Sequence, residues 1–278
     1  MTATHDHEIP QTWHYGLIAK WWSEFSHDGP EIAYFRTFIG NGGEPALDVG
    51  CGTGRLLLPY LRDGLDVDGC DLSPDMIALC SEQASREGLS PTLFLQAMHE
   101  LDIPRTYRTI IVCGAFGLGS TRDQDQEALR RFYNHLEPGG RLVLDNEVPY
   151  SDPDVWKYWP KDARATLPET PDAQADRQRG SDGAEYSLRI RVVGVDPLDQ
   201  LMTLEIHAEM WRDGKLVSEE DRILTGHMYF RDELLLMLER AGFDQVTVHG
   251  GYAAEEPTAD HDFLTFVAKK RSEAFRSA

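Results

Sequence analysis

Long apolar runs are missing from this chain of 278 residues. None approaches the roughly 20 residues that a membrane-spanning helix needs, so no membrane partner is expected. Metal-type cysteine spacing is missing too. Cys51, Cys70, Cys80 and Cys113 form no CxxC pair and join no Cys/His cluster, which argues against a zinc site, and no metal is expected. Reduced, buried thiols fit a cytoplasmic protein. Positive charge is scarce: 27 Lys and Arg face 47 Asp and Glu, a formal net charge of −20. That balance opposes binding to a phosphate backbone. No basic patch reverses it, because Arg189 and Arg191 are isolated and Lys269, Lys270 and Arg271 read as a solvated strand end. Nucleic acid is not an expected partner. Met1 to Gln11 contain no Lys or Arg and no apolar segment, so they read as a frayed tail and not as a secretory signal.

What is present is an alternation of short apolar strands with amphipathic helices, interrupted late by a run of strands. Residues 14–25 read as a helix with Tyr15, Ile18, Trp22 and Phe25 on one face. Strands are expected at 45–49, Leu65–Cys70, Leu93–Leu95, Ile110–Cys113 and Arg141–Asp145. Helices at Leu56–Leu61, after the Ser73-Pro74 cap, and around Leu129–Leu136 lie between them. Pro138-Gly139-Gly140 stops the last of these. Residues 151–183, rich in Pro, Asp and Gln, read as a long irregular connection. Three antiparallel strands follow. Their turns are Asp196-Pro197-Leu198-Asp199 and Asp213-Gly214, and the middle strand alternates from Met202 to Met210. A helix through Leu234, Met237, Leu238 and Ala241 then ends at Gly242, before two last strands at Val246–Val248 and Phe263–Ala268. This order predicts an α/β domain with a β-rich insertion.

The chemistry lies in Leu47-Asp48-Val49-Gly50-Cys51-Gly52-Thr53-Gly54, a strand that runs through alternating glycines into a helix. Glycine lets a backbone approach a ligand closely, and a helix start offers free N–H groups to an anion. A nicotinamide-type G-x-G-x-x-G turn would need its third glycine where Arg55 stands. Asp71 ends the second strand roughly 20 residues further on, where an acid can accept from both hydroxyls of a ribose; helix capping is its plainer reading.

These segments resemble the class I S-adenosylmethionine (SAM)-dependent methyltransferases. So do Leu136-Glu137-Pro138-Gly139-Gly140 and Leu238-Glu239-Arg240-Ala241-Gly242-Phe243. The likeness covers about 40–150 and 231–270. It implies a Rossmann-like seven-stranded sheet in the order 3-2-1-4-5-7-6, strand seven antiparallel, with an antiparallel three-stranded insertion after strand five. The late meander is similar to that of small-molecule N-methyltransferases of the glycine and amino-sugar type. The implied division is 1–40 tail and lid helix, 41–150 SAM-binding core, 151–230 connection and substrate insertion, 231–270 closing helix and strands, and 271–278 tail.

By the same resemblance, Asp48, Gly50, Gly52, Gly54, Asp71 and Leu72 match the cofactor motifs. The backbone of Met98 replaces an adenine contact that Ala97 cannot make by side chain, and Cys113 faces the methionine end. Arg108 stands where an acid often begins strand four. Tyr15 and Trp22 are placed on a lid over SAM. His227, Glu147 and Tyr15 are the catalytic candidates, with Tyr229 beside His227 and with His14, His207 and His249 as competitors. The expected activity is methyl transfer from SAM to N or O of a small molecule. A macromolecular methyltransferase and a SAM-binding protein without catalysis are the alternatives. The oligomeric state is left open, a homodimer being compatible.

Overall fold

The computed structural model describes residues 12–171 and 176–272; the expected tails 1–11 and 273–278, and residues 172–175 of the long connection, lie outside the described residues. The chain opens with helices α1 (Gly16–Phe25) and α2 (Pro30–Gly40). Then come β1 (Ala46–Val49), α3 (Leu57–Arg62), β2 (Val67–Asp71), α4 (Pro74–Arg86), β3 (Leu93–Leu95), β4 (Tyr107–Val112), α5 (Arg122–His135) and β5 (Leu136–Glu147). The connection carries short helices α6 (Pro153–Trp156) and α7 (Lys161–Arg164). It leads to strands β6 (Gln178–Arg179), β7 (Glu185–Asp196), β8 (Leu201–Arg212) and β9 (Lys215–His227). Helix α8 (Arg231–Ala241) and strands β10 (Gln245–Gly250) and β11 (Phe263–Lys269) close the chain.

Seven strands form one sheet in the order β10-β11-β5-β4-β1-β2-β3. β1 is parallel to both its neighbours, while β11 is antiparallel to β5. This is the expected order, with β11 and β10 as its strands seven and six. Every residue of β1 is buried, as a central parallel strand covered on both faces requires. One cover packs Leu129 and Phe132 of α5 and Leu234 and Leu238 of α8. The other packs Phe35 and Ile39 of α2, Leu57 and Tyr60 of α3, and Cys80 of α4. Each buried Leu, Ile or Phe among them contributes about 1.5–3 kcal/mol of burial. α4 starts as its sequence says: Ser73 Oγ accepts from Met76 N at 3.2 Å, with Pro74 in the first turn. α8 stops at Gly242, whose φ of 112° is left-handed.

Two features differ from expectation. The insertion sheet has four strands, β6-β7-β8-β9, not three. A tight turn, in which Gly180 N donates to Ala184 O at 2.8 Å, folds the end of the connection back beside β7 as β6. Helix α2 was not foreseen within 1–40, although Pro30 at its first turn and Tyr34, Phe35, Phe38 and Ile39 at helical spacing carry the signal. The Asp213-Gly214 hairpin follows its sequence: both residues have positive φ, as a two-residue type I′ turn demands.

Leu17 and Ile18 of α1 pack on Tyr186, Ile206 and Ala208, so the first helix rests on the insertion sheet. Among the described residues no helix is long and apolar enough to cross a membrane.

Candidate active site

β1 and β2 end side by side, and their ends are sewn together. Gly50 N and Cys51 N both donate to Cys70 O, at 2.8 and 3.0 Å. Asp71 Oδ2 accepts from Gly52 N and its Oδ1 from Ser73 N, each at 2.8 Å. Burial pushes the Asp71 carboxyl above its ordinary value, and these amide bonds oppose the shift. Each oxygen keeps a lone pair for a further donor. Asp71 is thus a turn brace as well as a candidate ligand group.

The three glycines do different work. All have positive φ, 75° at Gly50, 54° at Gly52 and 93° at Gly54. A Cβ at Gly50 would stand 2.6 Å from Ala115 Cβ, and one at Gly54 would stand 2.7 Å from Leu58 Cγ and 2.8 Å from Cys80 Sγ. A Cβ at Gly52 would meet no atom within 4 Å. Gly50 and Gly52 line a cavity, whereas Gly54 lies off its wall and serves helix packing, which corrects its expected ligand role.

That cavity holds about 650 Å³ and runs from the glycine turn to the insertion sheet. Asp48, Asp71, Leu72, Met98, Cys113 and Trp22 line it, as expected of cofactor residues; so do Glu147 and His227. Asp48 is 2 % exposed and its Oδ2 has no hydrogen-bond partner among the described residues. Burial, then the negative charge of Asp71, pushes its carboxyl up to about 7. An orphaned carboxylate oxygen on a cavity wall suits a cationic ligand group, and the open backbone at Gly52 suits close approach, so the residues present fit SAM.

The raised carboxyl of Asp48 has a stability consequence. A folded-state value above the unfolded one costs nothing below the unfolded value, grows through the window from about 4 to about 7, and is complete above it. Asp48→Asn should therefore raise the melting temperature of the ligand-free protein at pH 8, with the gain shrinking toward pH 4. Equal gains at both ends of a pH series of thermal melts would refute this.

Tyr15 is misplaced by the expectation. It precedes α1 in an extended conformation, φ −134° and ψ 162°, after a sharp turn in which its N donates to Trp13 O at 2.8 Å. It therefore does not share the Ile18 and Trp22 face, and it does not line the cavity. Its ring lies 5.8 Å from the Arg222 guanidinium. Burial, Asp71 and Asp75 hold its hydroxyl above its ordinary value. Thr12, Trp13 and His14 line the cavity instead. His14 is pushed down to about 4 by burial and stays neutral, with Thr12 Oγ1 2.5 Å from its Nδ1 and Trp13 Nε1 donating to its Nε2 at 3.2 Å.

Helix α1 has no cap of its own. Gly16 N donates to Asp75 Oδ2 at 2.6 Å and Leu17 N to Glu220 Oε2 at 2.8 Å, so α4 and β9 cap it from outside. Losing a cap costs about 1 kcal/mol, roughly fivefold in local opening. Glu220→Ala should speed amide hydrogen exchange at residues 17–20 by about that factor while the sheet core exchanges as before. Unchanged exchange there would show that Glu220 does not hold the helix.

The strand-five acids divide. Asp145 is buried and committed: Gly114 N donates to Oδ1 at 2.6 Å and Tyr252 Oη to Oδ2 at 2.5 Å. Asn146 Nδ2 donates to Tyr229 O at 2.9 Å. Glu147 lies exposed at the rim, accepting from Ser151 Oγ at 3.2 Å, and partial desolvation beside Asp152, Asp262 and Asp145 lifts its carboxyl. Tyr229 is fully buried behind His227, ring centres 5.5 Å apart, so it backs the cavity without lining it. His207 pairs with Asp221 at 2.7 Å and His249 with Tyr34 Oη at 2.6 Å, both off the cavity. Asp125 and Tyr252 were not foreseen, because nothing local in sequence ties either to the glycine turn.

A methyltransferase-domain family matches residues 46–140, the span from β1 to the Pro-Gly-Gly of β5. A Geobacillus sp. (strain WCH70) protein named "putative methyltransferase" is 24% identical over 264 residues, covering 92% of this chain and 99% of that protein. A Streptomyces venezuelae dTDP-3-amino-3,4,6-trideoxy-alpha-D-glucopyranose N,N-dimethyltransferase is 30% identical over 100 residues, 36% of this chain and 40% of that one. The crystal structure of an S-adenosylmethionine-dependent methyltransferase from Clostridium acetobutylicum ATCC 824 superposes with a TM-score of 0.70 at 18% identity, covering 92% of this chain and 98% of that one. The domain match and the seven-stranded sheet order, which is typical of class I SAM-dependent methyltransferases, bring sequence and fold to one conclusion, that residues 46–140 carry a class I SAM-dependent methyltransferase domain.

Proposed function

We propose that this enzyme methylates nitrogen or oxygen of a small molecule, a basic amine suiting its cavity best. The cavity of about 650 Å³ beside the glycine turn carries the reading. Its size is that of a small-molecule site. Phe116, Leu118, Met202, Leu204 and Leu224 supply apolar wall. Glu147, Asp152 and Asp262 bring carboxylates to the acceptor end, while Arg55, bonded to Glu31, is the one Arg or Lys among the lining residues. Such a field draws a cationic amine to the acceptor end. The amino-sugar relative from Streptomyces venezuelae is named for methylating an amine, which supports the same choice.

In this reading Asp71, Leu72 and Gly52 hold the adenosine part of SAM, the Met98 backbone meets the adenine, and Asp48 meets the amino group. Cys113 borders the methionine side and Trp22 on α1 covers it. Residues 41–150 with 231–270 form the cofactor unit, and 151–230 form the acceptor wall. SAM supplies a methyl group that is already electrophilic. The protein's part is to align the acceptor with it and to exclude water. The test is incubation with methyl-labelled SAM and a deproteinised small-molecule extract, followed by mass identification of the labelled product. A labelled low-molecular-weight amine is expected. Label that enters only RNA or protein in a parallel macromolecular fraction would overturn the reading.

A further inference from the structure

The end of β9 is sewn to the loop between β4 and α5. Gly119 N donates to Thr225 O at 2.8 Å and His227 N to Gly117 O at 3.0 Å. The seam sets His227, the last residue of β9, into the cavity wall. Behind its ring stands Asp125, 3 % exposed, in the first turn of α5. That turn is fixed by a capping box between Thr121 and Gln124. Asp125 Oδ1 accepts from Ser120 Oγ at 2.5 Å and Oδ2 from Tyr229 Oη at 2.5 Å. The same Oδ2 lies 3.0 Å from His227 Nδ1. Nδ1 is buried, sits off the ideal hydrogen-bond line, and has no other partner among the described residues. Arg122 lies 5.1 Å from the centre of the Tyr229 ring and pairs with Glu233 of α8, which completes the charged surroundings.

A carboxylate only accepts, so the ring hydrogen beside it belongs on Nδ1 and the lone pair on Nε2. Nε2 is not among the buried unpartnered atoms and makes no hydrogen bond to a described residue, so it opens to the cavity that His227 lines. We propose that Asp125 is a positioning residue that holds His227 in the Nδ1–H form, making Nε2 the base that takes the acceptor's proton; this rests on the methyl-transfer reading above. The N–H or O–H proton passes to Nε2. The pair it leaves on the acceptor forms the bond to the methyl carbon, and the broken S–C pair stays on sulfur. The imidazolium so formed faces Asp125 and returns its proton to water as product leaves.

Nitrogen-15 NMR of the histidine-labelled, ligand-free wild type reads the tautomer directly. His227 should show a protonated Nδ1 and a bare Nε2; an Nε2–H form overturns the proposal. Asp125→Asn should then lower label transfer from SAM into the small-molecule extract by about 10- to 100-fold, with SAM affinity by calorimetry unchanged within about twofold, and Asp125→Glu should recover part of the loss. Wild-type transfer rates in Asp125→Asn, or a larger loss in Glu147→Gln than in Asp125→Asn, would also overturn it. A wild type that transfers no label defeats the methyl-transfer reading instead, and the tautomer still decides the pairing. The tautomer is read in wild type, so the test stands even if Asp125→Asn does not fold.

Discussion

Gly52→Val is expected to leave the protein folded and to weaken SAM binding by more than about 100-fold, roughly 2.8 kcal/mol. The surroundings of the three glycines separate this variant from its neighbours. Side chains at Gly50 or Gly54 would strike Ala115, or Leu58 and Cys80, so those variants should fail in the core. At Gly52 the space is empty and belongs to the cavity, so the packing does not object. The backbone does object, because φ is 54° there, and holding a β-branched residue in that region costs on the order of 1–3 kcal/mol. Gly52→Ala supplies the control, since it carries most of the backbone strain with one carbon in the cavity. Calorimetry should rank SAM affinity as wild type, Ala, Val, while thermal melts of Ala and Val stay cooperative and close together. Tight SAM binding by Gly52→Val would mean that the turn shapes the fold and does not meet the cofactor.

The parts of this site that were legible in the sequence are those built by neighbours along the chain. β1 is a fully buried apolar run, and Gly50, Gly52 and Asp71 follow from the local geometry of two adjacent strand ends. Periodicity placed Trp22 on the cavity because it lies within α1. The same periodicity misplaced Tyr15, because the helix begins at Gly16, two residues later than expected, and the chain turns sharply before it. Alternation along β9 put His227 and Tyr229 together, and their rings do stack, but the strand ends at His227 and Tyr229 drops into the core. Asp125 was illegible for another reason. Its spacing within α5 marks it only as an acid near a helix start, which the helix dipole explains by itself. Its approach to His227 depends on the seam between β9 and the loop after β4, and no local pattern encodes that seam. Tyr252 reaches Asp145 from a loop 107 residues away in sequence, with the same result.

Asp71→Ala is expected to weaken SAM binding by at least about tenfold, about 1.4 kcal/mol, and to lower the ligand-free melting temperature slightly. Two causes act together, and they can be separated. The carboxylate accepts from Gly52 N and Ser73 N, so its loss frees two amides and loosens the turn. Its remaining lone pairs are the proposed acceptors for two ribose hydroxyls, and that charge-assisted contribution disappears as well. Asp68, three residues earlier, is the internal control. It is buried and bonded to Arg105 at 2.9 Å and Tyr107 Oη at 2.9 Å, so Asp68→Ala should cost stability with little change in SAM affinity. Competition against SAM by adenosine and by 2′,3′-dideoxyadenosine then isolates the direct contact. Wild type should prefer adenosine, and Asp71→Ala should bind both alike. If turn support were the whole effect, both nucleosides would weaken equally in the variant and the wild-type preference would persist. That outcome would remove Asp71 from the ribose and leave it as a brace for the glycine turn.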